Sequence, residues 1–508
     1  MILIIFIAKQ YSSQSRGRRE IVFFVKYFLL MKNISKTSDN KWLVFSFVAI
    51  GVFMSTLDGS IVNIALPTIM KDLSASFAYI EWVVMIYLLT VSSLLLSFGR
   101  LSDIAGRRRI YVWGLIVFSI GSLFCSIAGN AILLIASRSF QGIGAAMIMS
   151  CTPALVVDIF PEAERGKALG MVGAVVASGL TIGPALGGVL LHFFSWRAIF
   201  YINIPIGLFT AAAASVLLRG GRADITRKES FDWAGALLLA FCFGPFLVAV
   251  THGYNWGYTS MPIILLLCIS IMSIMGLIVV ETRVTHPIIE TSLLTVRLFT
   301  LPVLAAILLF ASLFTLVFLM PFYLIYPCGF SVDKAGYILV TLFVFLFFVS
   351  PVSGAISDRI GSRLLCTIGM IVLAYSLFSI AELSPAFSSF PIIWRLALAG
   401  IGTAIFLPPN SSAAMSSVPP NRRGIAAATV ATARNLGMVL GVAIAGAIFN
   451  SAFHTLSGGL SLKVYRPQLE AVFMEAFHYA MLAGGVLAGI GVAVSYMRGP
   501  EDGRFYTE

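Results

Sequence analysis

A helix that crosses a membrane needs about 20 consecutive apolar residues to cover a hydrocarbon core ~30 Å thick. Runs of that size centre on residues 44–66, 79–98, 110–128, 132–157, 168–191, 198–218, 233–251, 261–280, 299–326, 335–356, 364–382, 391–409, 425–449 and 476–497. Fourteen such spans in 508 residues leave no stretch long enough for a water-soluble catalytic domain. Only 11% of the residues are charged, against roughly 25% in an average soluble domain. The chain reads as an all-α integral membrane protein.

An even number of spans puts both termini on one side, and the basic residues say which. Loops after even-numbered spans carry sixteen Lys and Arg, while the other seven loops carry five (Lys71, Arg197, Lys334, Lys463, Arg466). Cytoplasmic loops hold the excess of basic residues, so both termini are expected in the cytoplasm of a protein of the cell membrane. The net charge of +12 is therefore a matter of topology. It is no nucleic-acid footprint, because basic tracts with interleaved aromatics are absent.

Residues 1–41 fit this scheme poorly. Met1 to Ala8 and Ile21 to Leu30 are apolar but too short to span, and no small-residue cleavage site follows them. The preferred reading is a start at Met31 with an upstream artefact before it; the alternative is an interfacial cytoplasmic helix. The expected divisions are a leader over 1–41, an N-half over 42–218, an inserted pair of spans over 231–280, a C-half over 297–497 and a cytoplasmic tail over 498–508. Six cysteines lie in or beside apolar runs without metal-ligand spacing, and read as reduced packing residues with no metal site.

The loops disclose an internal repeat. Gly99-x-Leu101-Ser102-Asp103-x-x-Gly106-x-Arg108 recurs as Gly354-x-Ile356-Ser357-Asp358-x-x-Gly361-x-Arg363 at an offset of 255. Gly142-Ile143-Gly144 and Pro161-x-x-x-Arg165-Gly166 recur as Gly400-Ile401-Gly402 and Pro419-x-x-x-Arg423-Gly424 at an offset of 258. Spans 1–6 are thus related to spans 9–14, and spans 7 and 8 are inserted between two six-helix halves that flank a substrate path.

These residues resemble the major facilitator superfamily and, within it, the fourteen-span drug:proton antiporter family, over residues 42–497. The end of span 1, Leu57-Asp58-x-x-Ile61-Val62-Asn63-x-Ala65-Leu66-Pro67, is similar to that family's first-span signature. Arg138-x-x-Gln141-Gly142-x-Gly144-Ala145 is similar to its fourth-span motif, and Gly179-x-x-x-Gly183-Pro184-x-x-Gly187-Gly188 to its antiporter motif. Trp196-Arg197-x-x-Phe200-x-Ile202-Asn203-x-Pro205-x-Gly207 resembles the start of its sixth span. Two positions depart from the pattern. Ile104 stands where the loop motif usually has a basic residue, and Tyr326-Pro327-Cys328 replaces a polar end of span 9, which bears on the C-half substrate lining. The resemblance implies a monomeric, cofactor-free transporter that exports lipophilic or cationic drugs against protons by alternating access. It assigns coupling and substrate roles to Asp58, Asn63, Arg138, Gln141 and Arg434.

Physical chemistry supports part of that assignment independently. A charge inside the bilayer is costly unless paired or hydrated. Asp58 lies about 16 residues, or ~24 Å, from the cytoplasmic start of span 1, and Arg138 lies ~10 Å below the outer end of span 4, at a similar depth. A carboxylate there that gains and loses a guanidinium partner suits proton coupling; a static structural ion pair or backbone hydrogen bond is the alternative. Glu81, at the outer edge of span 2, reads as solvated at the interface, as do Asp158 and Glu281 at cytoplasmic ends. Arg395 reads as snorkelling as readily as functional.

Gly179, Gly183 and Gly187 recur every four residues with Gly188 beside them, a small face expected to meet a C-half span, with Pro184 bending the helix. In the loop motif, Gly99 and Gly106 make a tight turn beside an arginine cluster that includes Arg107 and Arg108, and Asp103 is expected to cap the next helix or bridge to arginines of a neighbouring span when the cytoplasmic side closes. Asp358, Arg359 and Arg363 form its weaker copy.

No Gly-x-x-x-x-Gly-Lys-Ser/Thr loop exists, so the energy source is an ion gradient rather than ATP. Each 100 mV supplies ~2.3 kcal/mol per charge, a gradient of about fifty-fold. Two other readings stay open: transport of one specific metabolite, antibiotic or siderophore, with protons or Na+ as coupling ion, and a non-transporting sensor. Trp82, Tyr87, Trp113 and Phe406 are candidates to line a greasy cavity. A membrane enzyme would need a cluster of His, Asp or Glu, and the five histidines are scattered.

Overall fold

The computed structural model describes residues 41–218, 233–257, 259–283, 293, 295–385, 388–419, 423–460 and 462–499. The expected leader, the loop over 219–232 and the tail from residue 500 lie outside the described residues, as does the side chain of Asp358. With no water in a bilayer core, a spanning segment must satisfy its backbone internally, and long apolar runs therefore fold as helices.

The helices are α1 (Lys41–Asp72), α2 (Phe77–Ala105), α3 (Arg107–Ser126), α4 (Ala131–Ile159), α5 (Glu162–Phe193), α6 (Asn203–Leu217), α7 (Trp233–Trp256) and α8 (Met261–Arg283). They continue as α9 (Arg297–Ile325), α10 (Val332–Ile360), α11 (Ser362–Ala381), α12 (Phe390–Ser416), α13 (Arg423–Leu456) and α14 (Glu470–Tyr496). A single helical turn, Ala198–Tyr201, precedes α6. Among the described residues twelve helices are long and apolar enough to cross a membrane, while the inserted pair contributes the shorter apolar stretches Phe241–Gly253 and Met261–Leu277.

The helix pairing repeats at a step of eight. In the first half α1 packs on α5, α2 and α3 on α4, and α3 on α6; in the second α9 packs on α13, α10 and α11 on α12, and α11 on α14. Two seams join the halves, α5 against α10 and α2 against α13, and each is the other's counterpart under the same step. The inserted α7 and α8 pair with each other, and α7 lies along the α2–α13 seam.

The turns of the loop motif explain one glycine in each copy, whereas Gly99, expected in the turn, and its counterpart Gly354 lie inside α2 and α10. Gly106 has φ 98° and Gly361 φ 83°, a region that L side chains rarely adopt. Each donates its N–H to the carbonyl four residues earlier, Ser102 and Ser357.

Contacts between halves gather towards the end that loop charge predicts is outward. There Phe77 of α2 packs on Phe318 and Phe322 of α9 and on Phe449 of α13, with ring centroids 5.1–5.5 Å apart. On the other seam a Cβ on Gly188 would lie 3.0 Å from Asp333 Cα, and one on Gly336 would lie 2.5 Å from the Pro184 carbonyl.

The antiporter stripe corrects an expectation. Gly179, Gly183 and Gly187 face α1 of their own half: a Cβ there would fall 2.2 Å from Thr56 Oγ1, 1.9 Å from Ser60 Oγ and 2.5 Å from Ile64 Cγ2. Thr56, Ser60 and Ile64 share the stripe's four-residue spacing, so the two helices interlock along two turns, and Ser60 Oγ donates to the Gly179 carbonyl at 3.0 Å. Gly188 and Pro184 meet the C-half, as does Thr181, whose Oγ1 lies 3.4 Å from the Phe343 carbonyl. The C-half has an analogue that the loop repeat did not reveal: Gly437 and Gly441, at the same offset of 258, close on the Ile307 and Ala311 carbonyls of α9.

Candidate functional site

The buried charges converge in the N-half. Asp58 on α1 is fully buried and Arg138 on α4 is 1% exposed, and the two form an ion pair. Asp58 Oδ1 accepts from Gln141 Nε2 and from Asn203 Nδ2, each at 2.9 Å, while Oδ2 accepts from Arg138 Nη1. Gln141 lies one turn after Arg138, so its Oε1 also accepts from Arg138 Nη1 at 2.6 Å, and its Nε2 reaches Ser122 Oγ at 2.8 Å. Arg138 Nε donates to the Val83 carbonyl at 3.2 Å, and its guanidinium lies 4.1 Å from the centroid of the Tyr87 ring. Tyr87 is itself fixed by donating to the Ser55 carbonyl.

Five helices therefore hold one carboxylate with three donors. Removing one member of a buried ion pair costs about 3–5 kcal/mol because the survivor is left uncompensated. The guanidinium takes Oδ2 while the two amide donors take Oδ1.

The sequence matches Asp58 and Arg138 in depth, and the structure brings these two and Gln141 into contact. Asn63 stands elsewhere. Its Nδ2 donates to the Gly59 carbonyl at 3.2 Å, its Oδ1 has no partner, and it lines a small cavity between the halves with Ser60, Pro184, Leu316, Met320 and Leu339. Arg434 is half-buried on α13 and its Nε has no partner; none of the described hydrogen bonds joins it to Asp58. Tyr326 and Cys328 lie past the end of α9, with Tyr326 stacked on Tyr465, so they border the outer end rather than this cavity.

Asn203 was quoted as motif but given no role, and Ser122 and Tyr87 gave no coupling signal. One polar residue in an apolar helix reveals neither the depth nor the direction of its side chain. Of the aromatic candidates, Tyr87 supports Arg138, Phe406 is buried beside α11, Trp82 is partly buried, and Trp113 is 59% exposed.

The loop motif stays within each half. Arg107 pairs with Asp103 at 2.9 Å and with Asp158 of α4 at 2.7 Å, so Asp158, exposed as expected at a helix end, also has a partner. Arg108 donates to the Ser215 carbonyl in the last turn of α6, and Arg363 donates to the Tyr496 carbonyl at the end of α14 at 2.9 Å. The same arginine of each repeat thus caps the negative end of the last helix in its own half. Arg359 is exposed. Arg498, expected at the start of the tail, is instead 2% exposed and donates to Ser362 Oγ at 2.6 Å and to Asn410 Oδ1.

A membrane-spanning bundle with two paired halves around a buried ion pair is the architecture of a transporter. The chain belongs to the Major Facilitator Superfamily, whose family model matches residues 48–442. It is a multi-pass membrane transporter and not an enzyme. Riboflavin transporter RibZ of Clostridioides difficile (strain 630) is 36% identical over 462 residues, covering 90% of this chain and 98% of that protein. Multidrug resistance protein Stp of Mycobacterium tuberculosis is 31% identical over 400 residues, covering 78% of this chain and 74% of that one. In fold, the chain resembles a bacterial homologue of the human lysosomal transporter Spinster in an inward-facing, unoccupied conformation. The TM-score is 0.68 at 17% identity, covering 91% of this chain and 97% of the other.

Proposed function

We propose that the protein is a proton-coupled exporter of hydrophobic or cationic compounds, working by alternating access in a bacterial cell membrane with both termini in the cytoplasm. The observation that carries the proposal is the buried Asp58–Arg138 pair with Gln141 and Asn203 on the same carboxylate. Protonation from the outside frees Arg138 and loosens the join of α1 to α4. Release of the proton to the cytoplasm restores it. The drug-resistance relative supports the export direction, and no cofactor is required beyond the proton motive force. The test is ethidium and proton flux in energised inverted vesicles. Wild type should pump ethidium and release protons; Asp58→Asn should bind ethidium but no longer exchange it against protons. Undiminished exchange in Asp58→Asn would remove Asp58 from the coupling role.

A second reading has its own support in the riboflavin transporter among the relatives and in Asn63, whose free carbonyl oxygen borders an otherwise apolar cavity. In this reading the cargo is one planar metabolite that donates a hydrogen bond to Asn63. Riboflavin flux in the same vesicles, sensitive to Asn63→Leu and uncontested by ethidium, would favour it.

A further inference from the structure

Glu81 was expected at a wetted interface, yet it is 1% exposed. It lies one turn into α2 and presses on Gly446 of α13 across the seam between the halves: a Cβ on Gly446 would lie 2.2 Å from both Cδ and Oε1 of the carboxyl. Its Oε2 has no hydrogen-bond partner. Above it, one turn back on α2 and one turn on along α13, Phe77 and Phe449 meet at 5.2 Å and close the seam from the end.

The charged and titratable groups on the packed elements are engaged or distant. On α1, Asp58 is held by Arg138, Gln141 and Asn203, and from α4 Arg138 reaches the Val83 carbonyl while pairing with Asp58. On α2 itself Tyr87 donates to the Ser55 carbonyl, Tyr79 is exposed, and Arg100 lies about five turns away. On α13, Arg434 is ~18 Å down the helix from Gly446 and His454 ~12 Å up it. His252 on α7 has its ring 5.0 Å from Trp256 and its Nδ1 without a hydrogen-bond partner, but no hydrogen bond or ion pair among the described residues joins it to Glu81. On α9, Tyr323 donates to the Ser384 carbonyl and Tyr326 stacks on Tyr465.

A carboxylate buried without a donor is held only in its neutral form, since the ionised form needs water or a partner. Parting the α2–α13 seam supplies that water; closing it removes it. We propose that Glu81 is a second proton-binding carboxyl, which locks this end of the transporter shut when protonated and opens it when its proton leaves to the outside water. The step breaks only the O–H bond and leaves the electron pair on Glu81. Its place in the export cycle rests on the proton-coupled reading above: the proton that binds here lets the emptied transporter close outside and return inward. Asp58 is one proton site and Glu81 a separate one, on the moving seam.

The experiment measures the distance between spin labels on Lys71→Cys, in the last turn of α1, and Leu460→Cys, after α13, in reconstituted protein with the exposed Cys268 replaced by Ser. Wild type should show a short distance at low pH and a growing long-distance population as pH rises. Glu81→Gln, isosteric and always neutral, should stay short across the range, and Glu81→Asp should regain the response. Gly446→Ala, which drives a methyl into the carboxyl, should populate the long distance even at low pH, and it keeps the proposal testable if the Gln variant does not fold. A Glu81→Gln protein that opens with pH as wild type does would overturn the proposal, as would a Gly446→Ala protein that stays short. The two proton sites separate cleanly. If Asp58→Asn abolishes exchange but keeps the distance response, both readings stand. If Asp58→Asn abolishes the response while Glu81→Gln keeps it, the Glu81 proposal fails and the Asp58 reading survives.

Discussion

Gly183→Ala tests where the antiporter stripe packs. The new methyl would lie 1.9 Å from Ser60 Oγ, 2.9 Å from Ser60 Cβ and 3.0 Å from Ile61 N. Ordinary contact begins at 3.4 Å, so the shortest clash must open by about 1.5 Å, a displacement that well-packed interiors resist. Ser60 cannot swing aside freely, because its hydroxyl is bonded to the Leu57 and Gly179 carbonyls, both at 3.0 Å. Overpacking of this kind costs about 1–3 kcal/mol. Ser60→Gly removes the two closest atoms; alone it costs about 1–2 kcal/mol through a lost hydrogen bond and helix propensity. The double variant should therefore be no less stable than Ser60→Gly alone, with a favourable coupling of about 1–3 kcal/mol. Thermal unfolding of the four purified proteins in detergent reads the cycle. If the stripe instead met the C-half, Ser60→Gly would give no rescue and a change at Asp333 would, a result that would refute the assignment. Gly336→Ala, which meets the Pro184 carbonyl on the true cross-half seam, should remain unrescued by Ser60→Gly.

Two further outcomes follow from other buried polar groups. Asn203→Leu takes one of the two donors from Asp58 Oδ1; it should lower stability by about 1–3 kcal/mol and shift the pH at which ethidium exchange is half-maximal, with a flux profile as the readout. Arg498→Ala should destabilise the C-half by a similar ~1–3 kcal/mol by leaving Asn410 Oδ1 and Ser362 without their guanidinium, while the surviving protein still transports; equal stability to wild type would place Arg498 outside the fold.

The fold was legible because a bilayer forces long apolar runs into helices, and the repeat was legible because tight turns keep their glycines and capping arginines. What a side chain faces was less so. The glycine stripe announces close approach but not the partner, and the clue was its complement of Thr56, Ser60 and Ile64 at the same spacing on α1. Glu81 looked wet because it stands near a span end; only α13 crossing over it, with a glycine at the crossing, makes it dry. Asp58 and Arg138 were matched by depth, whereas Asn203, arriving from another helix, carried no such coordinate.

The two halves share a backbone plan but not a chemistry. Where α4 carries Arg138 and Gln141, the residues at the repeat offset in α12 are Leu396 and Ala399, and α9 holds no ionisable side chain between Arg297 and Tyr323. The duplication has thus kept the buried ion pair in one copy, while the other meets the cavity with apolar side chains. Substitutions on the wall, at positions such as Leu316, Met320 and Leu396, can reshape the cavity without touching the ion pair. A duplicated fold built this way lets the cavity wall vary while the buried polar network keeps its partners.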